Sequence, residues 1–188
     1  MIALIDLDSL IYKAKYKIEE TSIIESLSGV LTNERLEDEI ISQSLHRLEN
    51  MYLSILEEVE ETGILINQIE FYLTTCKNSF RKKLDPEYKK DRVLDPLRYK
   101  ITEKFVQETD FAFCHDKLEA DDLIANRINE LEESEYIIIA MDKDVLSLRG
   151  LHYNYYRPNS KANEPIKPMI GLGHSDKQEQ NKFLAKQM

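Results

Sequence analysis

Tyr136-Ile-Ile-Ile-Ala-Met-Asp-Lys-Asp144 opens with an uninterrupted apolar run and ends in two carboxylates two positions apart. The run is shorter than an ordinary helix, and it lacks the alternation of a strand with one wet face. It predicts a strand over 136–141 covered on both faces, the situation of a central strand in a parallel sheet. Ile2-Ala-Leu-Ile-Asp6 repeats the pattern, again ending in an acid, with Asp8 just beyond.

The intervening chain alternates accordingly. A helix is expected over Ser9–Lys17, and a connection over 21–33, where Ser, Gly, Thr and Asn accumulate. Apolar residues at spacings of three and four, from Leu36 through Ile40, Ile41, Leu45 and Leu48 to Val59, predict a long helix over 34–61. Thr32 or Asn33 would cap it and Gly63 would end it. Further strands are expected over 69–74, 111–114 and 151–156. Helices are expected over 96–107, with Pro96 in the first turn, and over 120–131. Such alternation predicts an α/β fold with a mostly parallel sheet flanked by helices, and a site at the carboxyl ends of the strands. Pro158, Pro165 and Pro168 interrupt a polar stretch after Arg157, so 158–188 is expected to be irregular apart from a short terminal helix.

Composition narrows the class. At 188 residues with 42% hydrophobic and 32% charged side chains, the chain suits one soluble globular domain. No apolar run approaches the roughly 20 residues that span a bilayer. Met1-Ile-Ala-Leu-Ile-Asp6 has no basic lead and argues against a secretory signal. Cys76 and Cys114 adjoin apolar runs and are expected as buried free thiols in a reducing compartment, which suggests a cytoplasmic location. The net charge of −10 is unfavourable for a polyanion binder, but the charge is segregated. Residues 34–61 hold nine acids against two bases, a solvated helix face or a surface for a protein partner. Residues 77–92 hold seven bases against three acids, expected as a loop or short helical segment that contacts a polyanion.

Seven carboxylates fall into three groups: Asp6 and Asp8; Glu119, Asp121 and Asp122 at the start of a helix; Asp142 and Asp144. Each group has an ordinary explanation as a cap, a helix-dipole partner or a turn. All three at one end of one sheet are better explained by a hard divalent cation, Mg²⁺ or Mn²⁺, that offsets their repulsion. On a helix Glu119 and Asp122 share a face, while Asp121 turns away by about 100°. The four histidines are scattered, no Ser-His-Asp or Cys-His arrangement is evident, and Gly171-Leu-Gly173 is a weak phosphate-loop signal. Metal-assisted phosphodiester hydrolysis fits what is left.

Ile5-Asp-Leu-Asp-Ser-Leu-Ile-Tyr-Lys-Ala14, Asn78-Ser-Phe-Arg-Lys-Lys-Leu-Asp-Pro-Glu-Tyr-Lys-Lys-Asp-Arg92, Leu118-Glu-Ala-Asp-Asp-Leu-Ile-Ala125 and Met141-Asp-Lys-Asp-Val-Leu-Ser-Leu148 resemble, in order, the 5′–3′ exonuclease and flap endonuclease family. The closest likeness is to the bacteriophage type, related to the nuclease domain of bacterial DNA polymerase I. The resemblance implies a PIN-like three-layer sandwich over 1–157. It implies cleavage of DNA, or of RNA, near a free 5′ end or flap, in the cytoplasm of a bacterial host if the protein is phage-encoded. It makes Asp6, Glu119, Asp121, Asp122, Asp142 and Asp144 catalytic, with Asp8 as an added metal ligand. Arg81, Lys82, Lys83, Lys89 and Arg92 become substrate-binding residues. Two departures stand out. Thr74-Thr75 occupies a place where relatives carry an acid, and only Gly173-His-Ser-Asp176 resembles the motif that opens the family's helix–three-turn–helix region. That region is therefore expected to be reduced or absent. Two other readings compete: a haloacid-dehalogenase-like phosphatase using Asp6 and Asp8, and a PIN-like module that binds nucleic acid without cutting it.

Overall fold

The computed structural model describes residues 1–27, 33–75, 80–88, 95–142, 144–155 and 169–172. Five strands run parallel: β1 (Ile2–Asp6), β2 (Gln68–Leu73), β3 (Ala112–Cys114), β4 (Tyr136–Ile139) and β5 (Arg149–Tyr153). A sixth, β6 (Met169–Leu172), lies antiparallel to β5 and completes the order β3-β2-β1-β4-β5-β6. The helices are α1 (Asp8–Leu27), α2 (Asn33–Glu60), α3 (Phe80–Leu84), α4 (Pro96–Glu108) and α5 (Ala120–Arg127).

β1 and β4 are central, and every residue of β4 is buried. Alternation within strands divides the core in two. Ala3, Ile5, Phe71, Leu73, Ile137 and Ile139 face Leu10, Ile11, Leu48, Ile55, Ile101 and Phe105 from α1, α2 and α4. Leu4, Tyr72 and Ile138 face Ala120, Ile124 and Ile128 on and just after α5. The result is the expected α/β sandwich of three layers. Even-numbered positions at the ends of β1 and β4 point to the α5 side, so Asp6 emerges where α5 begins.

Local signals act as expected at α2 and α4. Gly63 closes the turn after α2 with φ +89°, a left-handed conformation that glycine adopts without steric cost. Asp95 caps α4 by accepting from the Arg98 backbone N–H at 3.1 Å, with Pro96 at the first helical position. Lys15 on α1 pairs with Asp95 at 2.7 Å and ties the two helices together.

Three expectations need correction. α1 continues to Leu27, past the predicted stop at Lys17; Thr21, Ser22 and Ser26, read as part of a connection, lie in its last turns, since Thr and Ser disfavour a helix only weakly. Cys114 is exposed, because β3 is the outer strand of the sheet and leaves its end to solvent. Residues 169–172, placed in an irregular tail, form β6, a short apolar run that pairs with the outer backbone groups of β5. Cys76 and the predicted terminal helix lie outside the described residues.

α5 is anchored to β2 by a buried ion pair. The Arg127 guanidinium donates to both Glu70 oxygens at 3.0 Å, and the Tyr72 hydroxyl adds a bond to Glu70 Oε2 at 2.6 Å. Burial alone would raise the Glu70 carboxyl, but the bonds from Arg127 and Tyr72 overcome it and hold the group below its ordinary value of 4.5. A lowered folded-state pKa stabilises the protein fully above the unfolded value, and the stabilisation is lost as pH falls through the folded value. Glu70→Gln should therefore lower Tm most near about pH 7, and the gap to wild type should narrow toward about pH 3 in thermal melts followed by circular dichroism. Gly150 on β5 has φ +102°, and an added Cβ would stand 2.5 Å from the Tyr136 ring. Gly150→Ala should cost about 1–3 kcal/mol in denaturant unfolding, from overpacking and backbone strain together.

Candidate active site

The carboxylates converge on the C-terminal edge of the sheet. Asp6 is the last residue of β1 and is buried, with Oδ1 accepting from the Asp8 backbone N–H at 3.1 Å. Its carboxyl is pushed up to about 7, first by burial and then by Asp8, with Asp121 and Asp142 adding to the effect. Those influences place one acid from each sequence group within electrostatic reach of Asp6. A carboxylate in such a field carries repulsion that the fold itself does not neutralise.

Glu119 precedes α5, and Asp121 and Asp122 lie in its first turn. Asp122 Oδ2 accepts from the Glu119 backbone N–H at 3.1 Å, which closes the start of the helix. Arg81, from α3, gathers the three acids. It reaches Glu119 at 3.3 Å, Asp121 at 2.8 Å and Asp122 at 2.6 Å. Asp121, which helical geometry turns away from its neighbours, joins the group through this guanidinium. The Tyr88 hydroxyl accepts from Arg81 at 3.0 Å and donates to Glu119 at 3.3 Å.

Asp8 is held separately. Its Oδ1 accepts from the Thr74 backbone N–H at 3.1 Å and pairs with Arg98 of α4 at 2.7 Å. The Thr74 hydroxyl in turn accepts from the Ala120 N–H at 3.0 Å. Thr74 thus joins the ends of β1 and β2 to the start of α5. Asp142 and Asp144 are exposed beyond β4, and Asp142 Oδ1 accepts from the Asp144 N–H at 2.9 Å, a turn that presents both side chains to solvent.

The remaining predicted residues are distributed differently. Lys83 is exposed on α3, the side chain of Lys82 is outside the described set, and Lys89 and Arg92 lie outside the described residues. Arg81, expected on substrate, is engaged by carboxylates. Four contributors escaped the sequence reading: Arg98, Thr74, Tyr155, and the exposed pair Tyr12 and Tyr16. The two tyrosine rings stack on α1 at 6.4 Å, one and two turns beyond Asp8, and are 57% and 58% exposed. Their spacing of four on a helix that begins at Asp8 was a legible signal; the long-range contacts of Arg98 and Thr74 were not.

All the acids are hard oxygen donors, which fits Mg²⁺ or Mn²⁺ better than Zn²⁺. Among the described residues, no group of three or more His, Cys, Asp or Glu side chains is already arranged around an ion position. Arg81 and Arg98 engage the carboxylates instead, while the oxygen-only donor set is of the kind that hard divalent ions take.

A parallel α/β sandwich with a carboxylate cluster at the strand ends is an arrangement suited to metal-assisted phosphoester chemistry. The chain matches the family model described as 5′–3′ exonuclease, N-terminal resolvase-like domain, over residues 1–171, and it belongs to that family. The family consists of nucleases, which makes this an enzyme acting on nucleic acid and disfavours the phosphatase reading. No curated protein and no solved structure matches the chain. No described helix is long and apolar enough to cross a membrane.

Thr74→Val keeps the shape of the side chain and removes the acceptor for Ala120. It should cost about 1 kcal/mol in urea unfolding, the usual worth of a helix-start hydrogen bond.

Proposed function

We propose that the protein is a divalent-metal-dependent nuclease that hydrolyses phosphodiester bonds of DNA, and of RNA where presented, near a free 5′ end or flap. The observation that carries this reading is Asp6: buried at the end of a central strand, pushed up to about 7, and within reach of acids from all three sequence groups. A divalent cation would remove the repulsion there, and it would lower the pKa of a bound water and neutralise the departing oxygen.

Asp6, Glu119, Asp122 and Asp142 would form the principal ion position, with Asp121 and Asp144 completing a second. Asp8 supports them from outside, since Arg98 and Thr74 already hold it. Release of Arg81 from the acids would free its guanidinium to meet the phosphate being cut, a bidentate partner for phosphate oxygens. Lys82, Lys83, Lys89 and Arg92 would hold the flanking backbone by counterion release. Tyr12 and Tyr16 offer a stacking face to unpaired bases beside the site. On this reading residues 1–157 carry the nuclease chemistry.

The test uses labelled 5′-flap, single-stranded and duplex DNA, and RNA, each with Mg²⁺, Mn²⁺ or EDTA. Wild type should cleave with metal and not with EDTA. Asp142→Asn should abolish cleavage while its melting curve stays close to wild type, because Asp142 is exposed and outside the core. Equal cleavage by both proteins, or none by either, would remove the nuclease reading.

A further inference from the structure

A cavity of about 880 Å³ opens between α1 and α2, on the opposite side of the sheet from α5. Its volume falls within the range of about 300–1,000 Å³ typical of small-molecule sites. One end is formed by Tyr155, just after β5, whose ring lies 5.5 Å under the Lys13 ammonium. The Tyr155 hydroxyl is buried with no hydrogen-bond partner among the described residues. The register that aligns Ile5, Ile139 and Tyr153 puts Tyr155 at the carboxyl edge of the sheet where β1 ends at Asp6, and burial, then Asp6 and Asp8, push its phenol up.

The lining chemistry is mixed. Leu10 and Ile55 supply an apolar wall, and Gln43 and Asn50 bring side-chain amides. Lys13 and Arg47 bring positive charge, on a chain of net charge −10 and against an α2 rich in acids. Glu58, the acid of the lining, accepts from the Tyr153 hydroxyl at 2.6 Å. An aromatic ring, an apolar wall, amide groups and two cations in one cleft match the parts of a nucleotide: base, sugar edge and phosphate.

We propose that the α1–α2 cleft is a nucleotide-binding subsite, with Lys13 and Arg47 on the phosphate and the base against Tyr155 and the apolar wall. The occupant is a nucleotide unit, either free as a mononucleotide or as one residue of the strand being cut. The proposal rests on the nuclease reading for its second source, since Tyr155 links the cleft to the carboxylates. It places a contact on the face of the sheet opposite α5.

The test measures binding in EDTA, so that cleavage does not intervene, with fluorescent deoxyadenosine monophosphate and with a fluorescent 5′-phosphorylated single strand. Lys13→Ala with Arg47→Ala should weaken one or both probes roughly tenfold or more and lower the salt dependence of strand binding. Ser54→Trp, which fills the cleft and leaves its charge in place, should do the same, with melting curves reporting that both variants fold. Loss of both probes assigns the cleft to either source. Loss of the strand alone assigns it to a residue within a strand, and loss of the mononucleotide alone to a free nucleotide. Wild-type affinity for both probes in both variants would overturn the proposal, and would do so whether or not the wild-type protein cleaves nucleic acid. Absence of cleavage with normal cleft binding would instead remove the nuclease reading.

Discussion

Repulsion between carboxylates at the end of β1 is the constraint around which the structure is arranged. Asp6 is buried and near Asp8, Asp121 and Asp142, and the protein answers with two guanidinium groups brought from elsewhere in the chain. Arg81 gathers Glu119, Asp121 and Asp122, and Arg98 takes Asp8. Both arrive on helices whose placement is set by other contacts, α4 by its packing through Ile101 and Phe105 and α3 by its sequence position between β2 and α4. Neutralisation of this kind is reversible, unlike replacement of the acids by apolar groups.

The two faces of the sheet divide the work. The α5 face is anchored by the Arg127–Glu70 pair and presents the acids; the opposite face carries the larger apolar core and the cleft between α1 and α2. Asp6 and Tyr155 connect them, since both lie at the carboxyl edge where strands end and loops begin.

Much of the fold was legible because central parallel strands must be apolar on both sides, and β1 and β4 have no other explanation. The long helix α2 was legible from its period and its terminal glycine. The exposure of Cys114 was not, because an apolar neighbourhood in sequence does not reveal which strand lies at an edge. β6 was hidden by the prolines around it, since its pairing is with β5 and not with its sequence neighbours. At the site, residue types and strand ends pointed to the acids. The engagement of Arg81 by those acids, and the bridging role of Thr74, depend on contacts across 38 or more residues that no local pattern encodes.

The sheet order has a consequence for how the enzyme comes into being. β1 is the first strand made, yet it lies between β2 and β4, and Ile2 pairs with Tyr136. A ribosome releasing the chain from its N-terminus leaves β1 with one edge open until β4 has emerged. Non-local parallel pairing of this kind is slow, because the closure entropy of the intervening loop is spent before the contact forms. The acids of β1 and those following β4 therefore come together only after the chain through β4 is available to pair. A nascent fragment that ends before β4 lacks Asp142 beside Asp6, so the acid cluster is completed only once the central strands have paired.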